Sequence, residues 1–205
     1  MTRRSAASWR STASTRSTAG CVLQSSWSTA EVSNRCSATV RWSRHERSRS
    51  SSRRRLRFDA AHRLGVVHRN VKPANLLVTP EGVVYLDDVY SPANAMVHDS
   101  SAAETGMNAY RAPELFTSDS WDRRADVYAL ACVLYRCLTG ERPYPSDDLA
   151  QLITAHLTAP LPKPSALRSD ISVRLDTVIA KGMAKNPDER YSSATELAHA
   201  ACAAL

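Results

Sequence analysis

The chain has 205 residues, 43% of them hydrophobic, which is enough for one domain of ordinary size, and its formal charge is +7. That charge sits at one end: residues 1–58 hold 13 arginines against Glu31 and Glu46, net +11, while residues 59–205 hold 14 basic against 18 acidic side chains, net −4. The basic balance therefore describes a head and not the part able to fold, and it excludes specific nucleic-acid binding as the reading of the whole. A membrane span is not expected, because the most apolar stretch, Val127–Leu138, is too short and carries Arg136.

Residues 1–58 are rich in Ser, Thr and Arg, and their scattered apolar residues follow neither a strand nor a helix period. Such a segment buries too little to offset its ordering entropy, so it is expected to lack a core of its own. It shows no secretory signal, and the five cysteines of the chain form no CxxC pair. Both features suit a reducing, cytoplasmic location.

From Asp59 the texture changes. Asp59–Leu64 reads as the end of a helix stopped by Gly65. Val66–Val67, Leu76–Val78 and Val83–Leu86 are short β-prone runs, the last preceded by the turn Pro80-Glu81-Gly82. Ala125–Leu138 places Val127, Leu130, Ala131, Leu134, Cys137 and Leu138 at helical spacing and ends at Gly140. Leu149–His156, Val173–Met183 and Ala194–Ala204 read as three further helices. The expectation is a mainly α-helical lobe over residues 59–205 with a few short strands, preceded by a separate head over residues 1–58.

A series of motifs falls on this frame. His68-Arg69-Asn70-Val71-Lys72-Pro73-Ala74-Asn75 resembles the catalytic loop of protein kinases. Asp87-Asp88-Val89-Tyr90 stands where the metal-binding D-F-G belongs, Ala112-Pro113-Glu114 matches A-P-E, and Asp126-Val127-Tyr128 resembles the start of the large central helix of the kinase C-lobe. Lys185-Asn186-Pro187-Asp188-Glu189-Arg190 matches the late element of the same lobe. The wording resembles the eukaryotic-like serine/threonine kinases of high-GC bacteria. The fold this resemblance implies is the α+β protein-kinase-like one, represented by its C-lobe, with an N-lobe absent or not encoded in frame.

The resemblance also implies roles. Relatives transfer the ATP γ-phosphate to Ser or Thr of a protein substrate with Mg²⁺. Asn75 would supply an amide oxygen to Mg²⁺, Asp88 (in preference to Asp87) its carboxylate, and Lys72 would neutralise charge on the transferring group. Glu114 and Arg190 are expected to pair as scaffold, Asp126 to brace the loop that contains His68 and Arg69, and Ser100, Ser101 and Thr105 are candidate phosphosites with Arg69 as their basic partner. The implied partners are a protein substrate or another kinase.

The departures fall on the chemistry. The catalytic Asp of the family is Asn70 here, and a carboxamide cannot accept the substrate proton. The threonine before A-P-E falls on Met107, and Val89-Tyr90 replaces Phe-Gly. The chain has no G-x-G-x-x-G and no lysine before Lys72, so the clamp for ATP phosphates is not legible. Mg-ATP binding is therefore doubtful, and the expectation is a truncated, catalytically impaired kinase, with a pseudokinase-like protein-binding scaffold as the alternative. The head up to about residue 57 reads as a kinase N-terminal portion translated in a shifted frame, since GC-rich codons for Glu46–Arg57 permit an apolar-periodic helix in another frame; a basic tail is the other reading.

Overall fold

The computed structural model describes residues 41–42, 58–78, 84–86 and 106–205. Asp87, Asp88, Val89, Tyr90, Ser100, Ser101 and Thr105 lie outside the described residues. Among those described, the elements are β1 (Arg41–Trp42), α1 (Phe58–Arg63), β2 (Leu76–Val78), β3 (Val84–Leu86), α2 (Glu114–Thr117), α3 (Arg124–Thr139), α4 (Leu149–Thr158), α5 (Pro164–Leu167), α6 (Val173–Gly182) and α7 (Ala194–Ala204), with single 3₁₀ turns at Pro73–Asn75 and Pro187–Glu189. The domain is mainly helical with a few short strands.

Helix α3 is the axis of the lobe. It is buried from Ala125 to Tyr135 and again at Cys137 and Leu138, so it is apolar on every side, as a helix enclosed by others must be. Helices α5, α6 and α7 pack on it or on one another, and α7 also touches α1. The approach of α6 to α3 is set by Gly182, where an added Cβ would stand 2.6 Å from the Ala131 Cβ. Helix α3 ends at Gly140, whose φ of 85° is the left-handed conformation that glycine adopts without strain, and whose N–H returns to the Arg136 carbonyl at 2.8 Å.

Local chemistry fixes the other helix ends. The carboxylate of Asp148 accepts from Gln151 N at the start of α4, and the hydroxyls of Ser172 and Ser193 do the same for α6 and α7. Helix α1 ends through Gly65, with Gly65 N–H to His62 O and Val66 N–H to Ala61 O, both at 3.0 Å. That double closure explains one difference from the sequence reading. Val66–Val67 is not a strand, because the Val66 amide is already committed to the helix end.

The sheet has the order β1-β2-β3. β2 and β3 form an antiparallel pair with Leu77 opposite Tyr85. β1 joins β2 in parallel, Arg41 opposite Leu77. This strand lies within the head, where two residues are too few to show any period. The short helices α2 and α5 were likewise not legible, since four residues span little more than one turn.

Candidate active site

The loop between α1 and β2 carries the site, and α3 holds it. Asp126, 1% exposed in the first turn of α3, accepts three hydrogen bonds. His68 N–H donates to Oδ2 and Arg69 N–H to Oδ1, both at 2.8 Å, and His62 Nε2 donates to Oδ2 at 2.7 Å. A buried carboxylate needs such donors in place of water. The price is a local strain: Arg69 has φ 63°, the only positive φ among the described non-glycine residues, and the paired amides at 68 and 69 hold that turn in place. The Arg69 guanidinium stacks 4.5 Å from the centre of the Trp121 ring.

Asn70 follows, 9% exposed. Its backbone is fixed on both sides: its N–H donates to His68 Nδ1 at 3.3 Å, and its carbonyl accepts from Asn75 Nδ2 at 2.8 Å. Its side-chain Oδ1 is buried and has no hydrogen-bond partner among the described residues. Lys72 is half-exposed, just before the turn Pro73–Asn75, and has no ion pair among the described residues.

Residues 106–117 run past this loop. Asn70, Arg69, Met107, Tyr110, Leu115 and, from α3, Ala129 line one narrow recess too tight to hold a water molecule. Met107, at the position where a hydroxyl was expected by resemblance, thus lies beside Asn70 with no hydroxyl to offer. The segment is anchored at its far end. Glu114 and Arg190 form a forked pair, Nη1 to Oε1 at 2.7 Å and Nη2 to Oε2 at 2.8 Å, and Arg190 also donates to the carbonyls of Ala184, Arg124 and Lys185.

Three groups beside the site were given no role from the sequence, although Lys185 opens a matched motif. Tyr110 receives a 2.6 Å hydrogen bond from Arg136 Nη1. His156 of α4 is fully buried, shares a 2.9 Å hydrogen bond with the Tyr128 hydroxyl through Nδ1, and lies against the Tyr144 and Phe116 rings. Burial, helped by the nearby charge of Lys185, pushes its pKa down to about 4. Its Nε2 meets no acceptor in hydrogen-bond geometry among the described residues. Lys185 Nζ donates to His156 O at 2.7 Å and to Ala155 O and the Tyr144 hydroxyl at 3.1 Å, and its burial lowers its pKa to about 8. The one visible signal for any of these was Arg136, a charge inside an otherwise apolar run.

The sequence that forms this loop and its anchor is similar to that of known proteins. The family model described as "Protein kinase domain" matches residues 46–201, so the match begins inside the head. The chain is 47% identical over 151 residues to the serine/threonine-protein kinase PknH of Mycobacterium bovis, covering 72% of this chain and 25% of that protein. It is 53% identical over 153 residues to PknD of Mycobacterium tuberculosis, 72% of this chain and 23% of the relative, and 46% identical over 152 residues to PknE of the same species, with 72% and 26% covered. The chain spans about a quarter of the length of these curated relatives. It belongs to the protein kinase domain family, among the bacterial eukaryotic-like serine/threonine kinases.

Proposed function

We propose that the chain is a serine/threonine kinase lobe impaired in phosphoryl transfer as it stands, with residues 59–205 as the lobe and residues 1–58 as an out-of-frame head, of which Arg41–Trp42 joins the sheet of the lobe. The observation that carries this reading is the neutral side chain at residue 70. As the substrate oxygen bonds to phosphorus its proton must leave, and a carboxylate positioned beside it accepts that proton. The Asn70 carboxamide has no such basicity, and loss of a positioned base costs about 10²–10⁴ in rate. Met107, on the wall of the same recess, supplies no hydroxyl to compensate.

The remaining roles follow the same resemblance. Asn75 fits a hard cation: its Nδ2 is committed to the Asn70 carbonyl, which leaves the amide oxygen as the donor atom. Asp88 would be the metal carboxylate and Lys72 the mobile positive charge. Mg-ATP, when bound, supplies the phosphoryl group and the charge that neutralises it. Against tight nucleotide binding stands the sequence itself, which contains neither a Gly-rich loop nor a lysine before Lys72.

A second reading, a protein-binding scaffold without chemistry, is favoured by the Glu114–Arg190 fork and the Asp126 bonds. These hold the recess wall without using the Asn70 side chain. Under either reading the partner is a protein. No helix among the described residues is long and apolar enough to cross a membrane. The test is incubation of the full chain with Mg²⁺, γ-labelled ATP and a general protein substrate. The expected result is no label above background. Labelling that disappears in Asp88→Ala would overturn the reading. The frame of the head is tested by the nucleotide sequence through the codons for Arg57 to Ala60, where an upstream reading frame encoding a Gly-rich loop is expected.

A further inference from the structure

Helix α3 carries two cysteines in different states. Cys132 and Cys137 are both fully buried. Cys132 carries a thiol, and burial pushes it far above its ordinary pKa, which leaves it unreactive. Cys137, in the last two turns of the helix, is disulfide-bonded. Cys202 of α7 is not.

The partner of Cys137 follows by elimination. The chain has five cysteines, at positions 21, 36, 132, 137 and 202. With Cys132 and Cys202 set aside, Cys21 and Cys36 remain, and both belong to the Arg-rich head. Spacing gave no sign of such a bond. Cys137 stands 101 positions after Cys36 and 116 after Cys21, whereas a CxxC pair is local. A disulfide persists in an oxidising compartment and is transient in a reducing one, so the spacing of the cysteines was no guide to location.

Two further observations fit a head held against the lobe. Arg41–Trp42 pairs in parallel with Leu77–Val78, and Cys36 lies five positions before Arg41, a reach of about 18 Å at most. Two paired residues make too few hydrogen bonds to hold a segment unaided. Charge also favours the contact, since residues 1–58 carry net +11 and residues 59–205 net −4.

We infer that a disulfide from Cys137 to Cys21 or Cys36 staples the head to the central helix of the lobe. The inference stands apart from the kinase reading and from any phosphoryl transfer. Reduction by a dithiol breaks the one S–S bond, gives two electrons and two protons to the protein sulfurs, and leaves the reagent as its own disulfide. The staple closes a loop of more than a hundred residues, so it restricts the unfolded chain strongly.

The test uses the full chain equilibrated in a glutathione redox buffer. Denaturation in N-ethylmaleimide caps the thiols present. Dithiothreitol then opens disulfides, and iodoacetamide caps the thiols released. The five cysteines fall on five separate tryptic peptides, so mass spectrometry reads each alone. Iodoacetamide is expected on Cys137 and on one of Cys21 and Cys36, and maleimide on Cys132, Cys202 and the remaining head cysteine. The unreduced chain should run as a monomer on a gel. Dithiothreitol should lower the urea midpoint by about 1–2 M, and Cys137→Ser should abolish that response. If the variant does not fold, the peptide map of the wild type decides. Maleimide on Cys137, glutathione on Cys137, a disulfide-linked dimer, or a wild-type midpoint untouched by reduction would overturn the inference.

Discussion

Replacing Arg190 by Ala tests what holds the recess wall to the lobe. Arg190 is 5% exposed and makes five hydrogen bonds between 2.7 and 3.1 Å, two of them to Glu114. Its guanidinium also lies 4.9 Å from the centre of the Tyr128 ring. The Ala variant leaves the Glu114 carboxylate, 11% exposed, without its counter-charge. Breaking a buried pair from one side costs about 3–5 kcal/mol, chiefly through the charge left behind. The stacking on Tyr128 adds up to about 1–2 kcal/mol, not independently. A loss near 4 kcal/mol is a large part of the roughly 5–15 kcal/mol that holds a domain folded. With a urea slope of about 2 kcal/mol per molar, the unfolding midpoint should fall by about 2 M, followed by tryptophan fluorescence. Arg190→Met combined with Glu114→Leu removes both charges and should recover most of the loss. If Arg190→Ala costs less than about 1 kcal/mol, the pair behaves as an exposed one and the argument fails.

His156 has a folded pKa near 4 against an ordinary 6.5, so as pH falls through that interval the unfolded chain takes the proton first and stability declines, by about 3 kcal/mol at most. Urea midpoints at about pH 7 and about pH 4.5 should therefore differ more in the wild type than in His156→Gln, and equal slopes would refute this. Gly182→Ala should cost about 1–3 kcal/mol, because its Cβ meets the Ala131 Cβ at 2.6 Å and the Leu197 Cδ1 at 3.3 Å; an unchanged melting temperature would show that α3 and α6 separate freely. Asn70→Asp should leave labelling from ATP undetectable, since a restored base does not restore a phosphate clamp, and recovery of transfer would show the clamp to be present.

The helices were legible because burial imposes a period. Leu149, Val173 and Ala194 were found as starts to the residue, each following a polar capping residue. The end at Gly140 was legible because that residue supplies the left-handed turn. Val66–Val67 misled, since β-branched composition does not reveal that an amide is already bonded to Ala61. At the site, motif order carried the resemblance, but not the contacts made at a distance. His62 reaches Asp126 across 64 positions, and Tyr110 reaches Arg136 across 26, and no spacing rule links such pairs. His156 looked like an ordinary helix residue because its surroundings come from α2, α3 and the loop around Tyr144.

The polar contacts divide into two sets, and the division bears on function. Asp126, Tyr128 and Arg136 all project from α3, one to the catalytic-type loop, one to α4 and one to the segment beside the recess. They act with Arg190 to fix the backbone of the loop and of the segment beside it. Among the described residues, residue 70 enters this network through its main chain, by way of His68 Nδ1 and Asn75 Nδ2, while its side-chain oxygen has no partner. Asp and Asn have nearly the same shape, so the side chain here can lose its charge without disturbing the contacts that position it. A mutation at Arg190 or Asp126 removes structure, whereas the exchange at residue 70 removes basicity and leaves the recess intact. In this lobe, the contacts that hold the fold and the side chain at residue 70 are therefore separable.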